Sequence, residues 1–170
     1  MDAKELIRRY DAGERDFRGA KLSQAHLTSD MLMDADLSGA DLKGAFCMRA
    51  RLGRANLHGA DLTRADLSEA WLAEANLSQA DLSEANLSQA GLQRTILTNA
   101  KLHRAILNWT NLRNANLTRA NLDQADLRGA DLKGADLTEA NLHLAEVTDQ
   151  QLAQAKTLIG ATMPDGTIHP

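Results

Sequence analysis

Between Arg15 and Gln154 the chain repeats in fives: Ala60-Asp61-Leu62-Thr63-Arg64 is followed by Ala65-Asp66-Leu67-Ser68-Glu69 and Ala70-Trp71-Leu72-Ala73-Glu74. A small residue opens most units, from Ala20 to Ala145. Leu stands two residues later, from Leu22 to Leu142, usually with Asp or Asn between them. The Leu-type positions from Phe17 to Leu152 make 28 units, and the frame takes no insertion or deletion.

A period of five is neither helical nor strand-like. An α-helix turns every 3.6 residues, so a Leu at every fifth position wanders around it and buries no stripe. A plain strand alternates with period two. Ala and Leu, two apart, point the same way in a short extended piece. The next Ala comes three residues after the Leu, an odd step, so the chain must turn once per unit. Four near-right-angle turns close a coil of about 20 residues, and stacked coils repeat at about 4.8 Å. Leu then lies over Leu and Ala over Ala. The expected fold is an all-β solenoid of about seven coils, a rod about 30 to 35 Å long, whose core is continuous only because neighbours stack.

The repeat A-(D/N)-L-x-x over Phe17 to Leu152 resembles the pentapeptide-repeat family. That resemblance implies a right-handed quadrilateral β-helix. The ends are similar to those of cyanobacterial heterocyst-differentiation regulators of this family: Glu5-Leu6-Ile7-Arg8-Arg9-Tyr10 with Asp11-Ala12-Gly13, and Met163-Pro164-Asp165-Gly166-Thr167-Ile168-His169.

Composition fits one narrow-cored domain. Of 170 residues 44% are hydrophobic but only 3% aromatic, and the net charge is -4. That balance favours solubility and argues against general nucleic-acid binding. One Cys excludes an intrachain disulfide and a cysteine metal cluster. No apolar run is long enough to span a bilayer, and the N-terminus lacks a signal-peptide core, so a cytoplasmic protein without membrane contact is expected; a C-terminal coil that reads as capped instead of open for pairing makes a monomer the expectation.

The organisation reads as an N-terminal helical cap (1–14), a repeat body (15–147), and a C-terminal cap and tail (148–170). Residues 2–12 place Leu6, Ile7 and Tyr10 on one apolar face, and Gly13 stops the helix. A stack end exposes apolar side chains and open backbone groups, so a cap is the expected role, with a membrane anchor or binding helix as the alternative. Thr148 and Gln151 carry a capping-box signature, with a helix over 149–156 burying Leu152 and Ala155. Leu158 and Ile159 are expected to cover the last coil. Pro164-Asp165-Gly166 signals a turn, and His169-Pro170 a frayed end.

The inward positions Phe17, Leu42, Cys47, Leu62, Leu82, Leu102, Leu122 and Leu142 form the expected core, with Cys47 a buried small hydrophobe. The outward Asp, Asn, Ser and Thr columns, including Asp41, Asp61 and Asp81, read as hydrogen-bonded ladders or turn-backbone partners, not as a catalytic carboxylate cluster.

The outward exceptions are more informative. Met31, Met33, Phe46, Met48, Arg51 and Trp71 gather on two faces of the first three coils, with Ile106 and Trp109 a second, weaker group. Arg51 lies one coil from Trp71, which suggests a cation–π contact, and Gly91 leaves backbone that the indole can cover. Aromatics, Met and Arg are enriched in interface centres, although scattered surface hydrophobes are also normal. Charge is banded: residues 60–90 carry -5, 91–120 carry +5, and 121–150 carry -5. Such bands can orient a partner.

No nucleotide or zinc motif is present, and flat convex walls suggest no small-molecule pocket. His103 and His143 stand two coils apart with Asp123 between, a poor metal site. No enzyme activity and no cofactor are expected. The leading function is a protein-interaction scaffold. The resemblance implies a positive influence on cyanobacterial cell differentiation through contact with a protein partner, a transcription-regulatory protein. The alternative is DNA-mimic inhibition or protection of a type II topoisomerase, DNA gyrase. Family members of that kind match B-DNA in width and negative charge and dimerise through the C-terminal end. The +5 band and the capped C-terminus depart from them. A stable repeat protein without a strong specific partner is the third reading.

Overall fold

The computed structural model describes all 170 residues, and its regular elements are two helices, α1 (Ala3–Asp11) and α2 (Asp149–Leu152). This corrects the expected all-β solenoid and its right-handed quadrilateral β-helix: no β-strand and no sheet forms. The reason lies within the five-residue unit. One residue, the Asp/Asn position, makes an isolated parallel bridge, and the next four are spent on Leu and a turn. The last turn residue is left-handed in unit after unit, as at Glu69 (φ 56°), Glu84 (φ 58°) and Asn114 (φ 57°). That conformation ends any extended run before a second residue can pair.

The chain nevertheless returns on itself every twenty residues. Bridges link Asp16 to Asp36, Asp36 to Asn56 and Asn56 to Asn76, and the same offset holds on the other three faces through Asp126 and Glu146. Leu62 N–H donates to the Asp81 carbonyl at 2.7 Å, and Asp61 N–H donates back to the Ala40 carbonyl at 2.9 Å. Most backbone polar groups therefore find partners between coils. Asp and Asn suit the bridge position because their Oδ1 accepts the amide two residues on: Ser68 N–H to Asp66 at 3.0 Å, Ser88 N–H to Asn86 at 3.0 Å. Asn also reaches between coils, as Asn56 Nδ2 to Asp36 Oδ1 at 3.0 Å. Asp61 and Asp81 each accept the amide two residues on, so these carboxylates are turn partners.

The core is one continuous column of Leu and Ala. Phe17, Leu42, Cys47, Leu62, Leu82, Leu102, Leu122 and Leu142 all lie in it, each no more than 2% exposed. Two threonines replace Ala at inward corners and keep their hydroxyls satisfied. Thr95 Oγ1 donates to the Leu72 carbonyl at 3.2 Å and Thr110 Oγ1 to the Leu107 carbonyl at 2.6 Å.

α1 packs Leu6 and Tyr10 into the first coil, with Ile7 half-buried. Asp2 caps it by accepting Glu5 N–H at 2.8 Å, and the Tyr10 hydroxyl donates to the Met33 carbonyl at 3.1 Å. Arg15 lies over the Tyr10 ring at 3.8 Å, which anchors the exit from the helix.

α2 carries the capping box read from Thr148 and Gln151 but is only four residues long, shorter than the expected 149–156. Leu152 is buried and Ala155 half-buried. After α2 the offset lengthens by one, to Asp136–Thr157 and Asn141–Thr162. The strict frame therefore ends before Leu152. Leu158 packs on the core, but Ile159 points outward at 63% exposure, against the expectation that both cover the last coil. His169 is not frayed: its N–H donates to the Ala161 carbonyl at 2.8 Å and its carbonyl accepts Gly160 N–H at 2.9 Å. The turn at Pro164-Asp165-Gly166 allows this return, closed by Gly166 N–H to the Met163 carbonyl at 2.9 Å.

Candidate protein-interaction surface

Twenty-residue stacking sets Met31, Arg51 and Trp71 in one outward column, joined by the bridges Met31–Arg51 and Arg51–Trp71. Around the corner, His26 and Phe46 form a second column. Their rings stack nearly parallel, 4.7 Å between centroids at 12°. Met31 is 51% exposed, Phe46 42% and Trp71 40%. Met33 and Met48 are half-buried and sit at the edges of this group. Ile106 and Trp109 are exposed but separate: Asp66 and Asn86 lie between Phe46 and Ile106 in the same column.

Arg51 does not stack on Trp71. The cation–π pairs are Arg9 over Phe17 and Arg15 over Tyr10, both at the α1 end. The indole instead lies against glycine. A Cβ at Gly53 would meet Trp71 Cζ3 at 2.7 Å, and one at Gly91 would meet Cδ1 at 3.3 Å. Gly91 is covered as expected, but Gly53 is the tighter seat, and its signal is a Gly eighteen residues before a Trp. Trp109 uses the same device on Gly129, where a Cβ would come within 2.6 Å of the ring.

The positive band is paired in part with the acidic bands on either side: Arg94 with Glu74 at 3.5 Å, Lys101 with Asp81 at 3.2 Å, Arg113 with Asp131 at 3.1 Å and Arg119 with Glu139 at 2.6 Å. Two acids of the 60–90 band pair elsewhere, Glu69 with Arg49 at 2.9 Å and Glu84 with Arg64 at 2.8 Å. Each partner stands one coil away. Arg104, in the middle of the positive band, donates to neutral Gln124 Oε1 at 2.9 Å. Arg51 differs from its neighbours Arg49 and Arg54, which pair with Glu69 and Asp34: it is exposed and has no ion-pair partner.

Asp123 sits between the two histidines read from the sequence, with Oδ2 at 2.9 Å from His103 Nδ1 and Oδ1 at 3.0 Å from His143 Nδ1. The hydrogen bond from His143 leads in holding its carboxyl below the usual carboxylate range. This is a further hydrogen-bonded column, and no group of three or more His, Cys, Asp or Glu is placed to hold a metal ion. Cys47 is buried, and burial pushes its thiol up to about 12. The recess that does occur lies at the end of the stack beside α1. A groove of about 530 Å³ opens between the start of α1 and the first coil, at Lys4, Lys21 and His26.

A stack of near-identical short units with a Leu/Ala interior and polar turns defines a repeat protein. Its sequence matches the family described as Pentapeptide repeats over residues 31–68, 60–99, 70–108 and 105–143. The chain belongs to the pentapeptide-repeat family.

It is 33% identical to HetL, a pentapeptide-repeat protein involved in heterocyst differentiation regulation from the cyanobacterium Nostoc sp. strain PCC 7120. That match covers 99% of this chain and 100% of HetL, with a TM-score of 0.41. It is 31% identical to Rfr23 of the cyanobacterium Cyanothece 51142, over 79% of this chain and 96% of Rfr23, with a TM-score of 0.52. QnrB1, a plasmid-mediated fluoroquinolone resistance protein, is 18% identical over 88% of this chain and 79% of its own, with a TM-score of 0.48. No curated protein matches the sequence. No helix is long and apolar enough to cross a membrane.

Proposed function

We infer that this chain is a protein-interaction module that regulates cell differentiation in a cyanobacterium by contacting a transcription-regulatory protein. The observation that carries the reading is the Met31–Arg51–Trp71 column. It sets an unpaired guanidinium between two exposed apolar side chains on a rigid stack, with Phe46 around the corner. Arg and aromatic side chains held rigidly lose little entropy on docking and dominate interface energetics. The 33% identity with HetL along nearly the whole chain supports the regulatory part of the reading. In this reading residues 1–14 and 148–170 are caps, residues 15–147 are the display surface, and the protein works as a cytoplasmic monomer.

Topoisomerase inhibition by DNA mimicry gains no specific support. A DNA mimic needs an acidic field along its length, and here acids of the flanking bands are paired with arginines and a lysine one coil away. The test is to overproduce the wild type and a Phe46→Ala/Arg51→Ala/Trp71→Ala variant in a filamentous cyanobacterium and count differentiated cells. The wild type raises their frequency and the variant does not. A wild type without effect removes the regulatory reading, and a variant as active as the wild type removes the column as its site.

A further inference from the structure

We propose that the groove between α1 and the first coil is a docking site for an acidic, extended peptide segment of a partner protein, which adds to the open edge at Lys21. The inference is independent of the Met31–Arg51–Trp71 column.

The argument starts from backbone bookkeeping. In the body of the stack, the amide at each bridge position donates toward the preceding coil, as Asp41 N–H does to the Ala20 carbonyl at 2.9 Å. Its carbonyl, and that of the residue two further on, accept from the same side: Asp41 O takes Leu22 N–H at 2.7 Å, and Lys43 O takes Gln24 N–H at 2.9 Å. The first coil has no predecessor. At Lys21 and Ser23 the corresponding donor and two acceptors, Lys21 N–H, Lys21 O and Ser23 O, have no protein partner. His26 N–H and O are open in the same way. α1 closes the coil elsewhere, where the Tyr10 hydroxyl donates to the Met33 carbonyl. It leaves Lys21, Leu22, Ser23, Ala25 and His26 lining the groove. Lys21 is a single bridge position, so an added segment pairs with it through its main chain over one short extended stretch, with those bonds giving affinity and flanking side chains giving selectivity.

Charge selects the occupant. Lys4 and Lys21 face the groove from its two sides, and neither has an ion-pair partner, in contrast to Lys101 and Lys156. The one carboxylate in the lining, Asp2, is engaged in capping Glu5 N–H at 2.8 Å. Asp30 lines the adjoining recess with Ile7 and His26. An extended segment with alternating carboxylates points them at the two ammonium groups. Its other side chains meet the apolar floor at Leu22 and Ala25. The groove volume lies within the range of ligand sites, roughly 300–1,000 Å³.

The probe is a fluorescein-labelled, end-blocked Glu-Val-Glu-Val-Glu peptide, with Lys-Val-Lys-Val-Lys as its charge-reversed control. Fluorescence anisotropy with the full chain gives saturable binding of the glutamate peptide and none of the lysine peptide. Lys4→Glu/Lys21→Glu weakens binding by at least about tenfold, since like charges across an interface repel, with an unchanged circular-dichroism spectrum. Hydrogen exchange shows the Lys21 and His26 amides unprotected in the free protein, and Lys21 protected in the complex. Absence of saturable binding by the wild type overturns the proposal. So does an affinity indifferent to either charge reversal, or a Lys21 amide that stays unprotected. Protection of Lys21 without peptide, together with dimers in sedimentation, assigns the edge to a second copy of this chain and overturns it equally.

Discussion

Cys47 occupies a Leu position, and its neighbours decide its chemistry. The side chain is 1% exposed and its thiol is pushed up to about 12 by burial, with Asp66 and Asp30 adding smaller effects in the same direction. The thiolate is the reactive form, so native protein is expected not to react with a thiol-specific disulfide reagent, while urea-unfolded protein reacts fully. Reaction at native rates matching an exposed thiol contradicts the inward placement. Because the folded pKa is raised, the folded chain holds its proton where the unfolded chain, near 9.0, has lost it. The resulting stability is complete below that value and drains away as pH rises toward about 12. Cys47→Ala is therefore expected to flatten the alkaline slope of stability measured by urea denaturation. An unchanged slope contradicts the shift.

α2 is short, and Gln151 does two jobs in it. Its Oε1 accepts Thr148 N–H at 3.1 Å to close the capping box, and its Nε2 donates to the Leu127 and Ala130 carbonyls at 2.7 and 2.9 Å. Thr148→Ala removes the cap hydroxyl alone, worth about 1 kcal/mol. Gln151→Ala also strips the Leu127 and Ala130 carbonyls of a donor beneath the helix, for a larger loss of about 1–3 kcal/mol. Denaturation midpoints of the two variants check the order, and a Thr148→Ala loss equal to or greater than that of Gln151→Ala contradicts it. The capping box was readable because it is a local, four-residue pattern. The length of α2 was not, since Ala153 to Lys156 have no helix-breaking residue and the stop comes from rejoining the stack, where Lys156 N–H donates to the Ala135 carbonyl at 2.8 Å. The open edge beside Lys21 was equally hidden, because it depends on how far α1 reaches across the first coil.

The whole chain is a stack in which every coil depends on its neighbours. Leu82 is fully buried at mid-stack, and its N–H donates to the Lys101 carbonyl at 2.7 Å. Leu82→Asp places an unpaired charge in a dry column, so loss of the native circular-dichroism spectrum and of cooperative melting is expected. A native spectrum contradicts the inward assignment. The five-residue period made the inward Leu and Ala and the twenty-residue offset readable from sequence. It could not show that extended structure stops at one residue per unit. That depends on a left-handed turn residue, and side chains such as Glu69 or Arg119 carry no sign of it. The exposed column Met31–Arg51–Trp71 followed from the same offset, but the seat of the Trp71 ring on Gly53 depends on a rotamer.

Whether this column captures a regulatory protein is tested most directly by affinity capture from a filamentous cyanobacterial lysate, wild type beside the Phe46→Ala/Arg51→Ala/Trp71→Ala variant, read by mass spectrometry. The expected result is a transcription-regulatory protein retained by the wild type and lost with the variant. Equal retention by both, or gyrase subunits as the captured species, contradicts it.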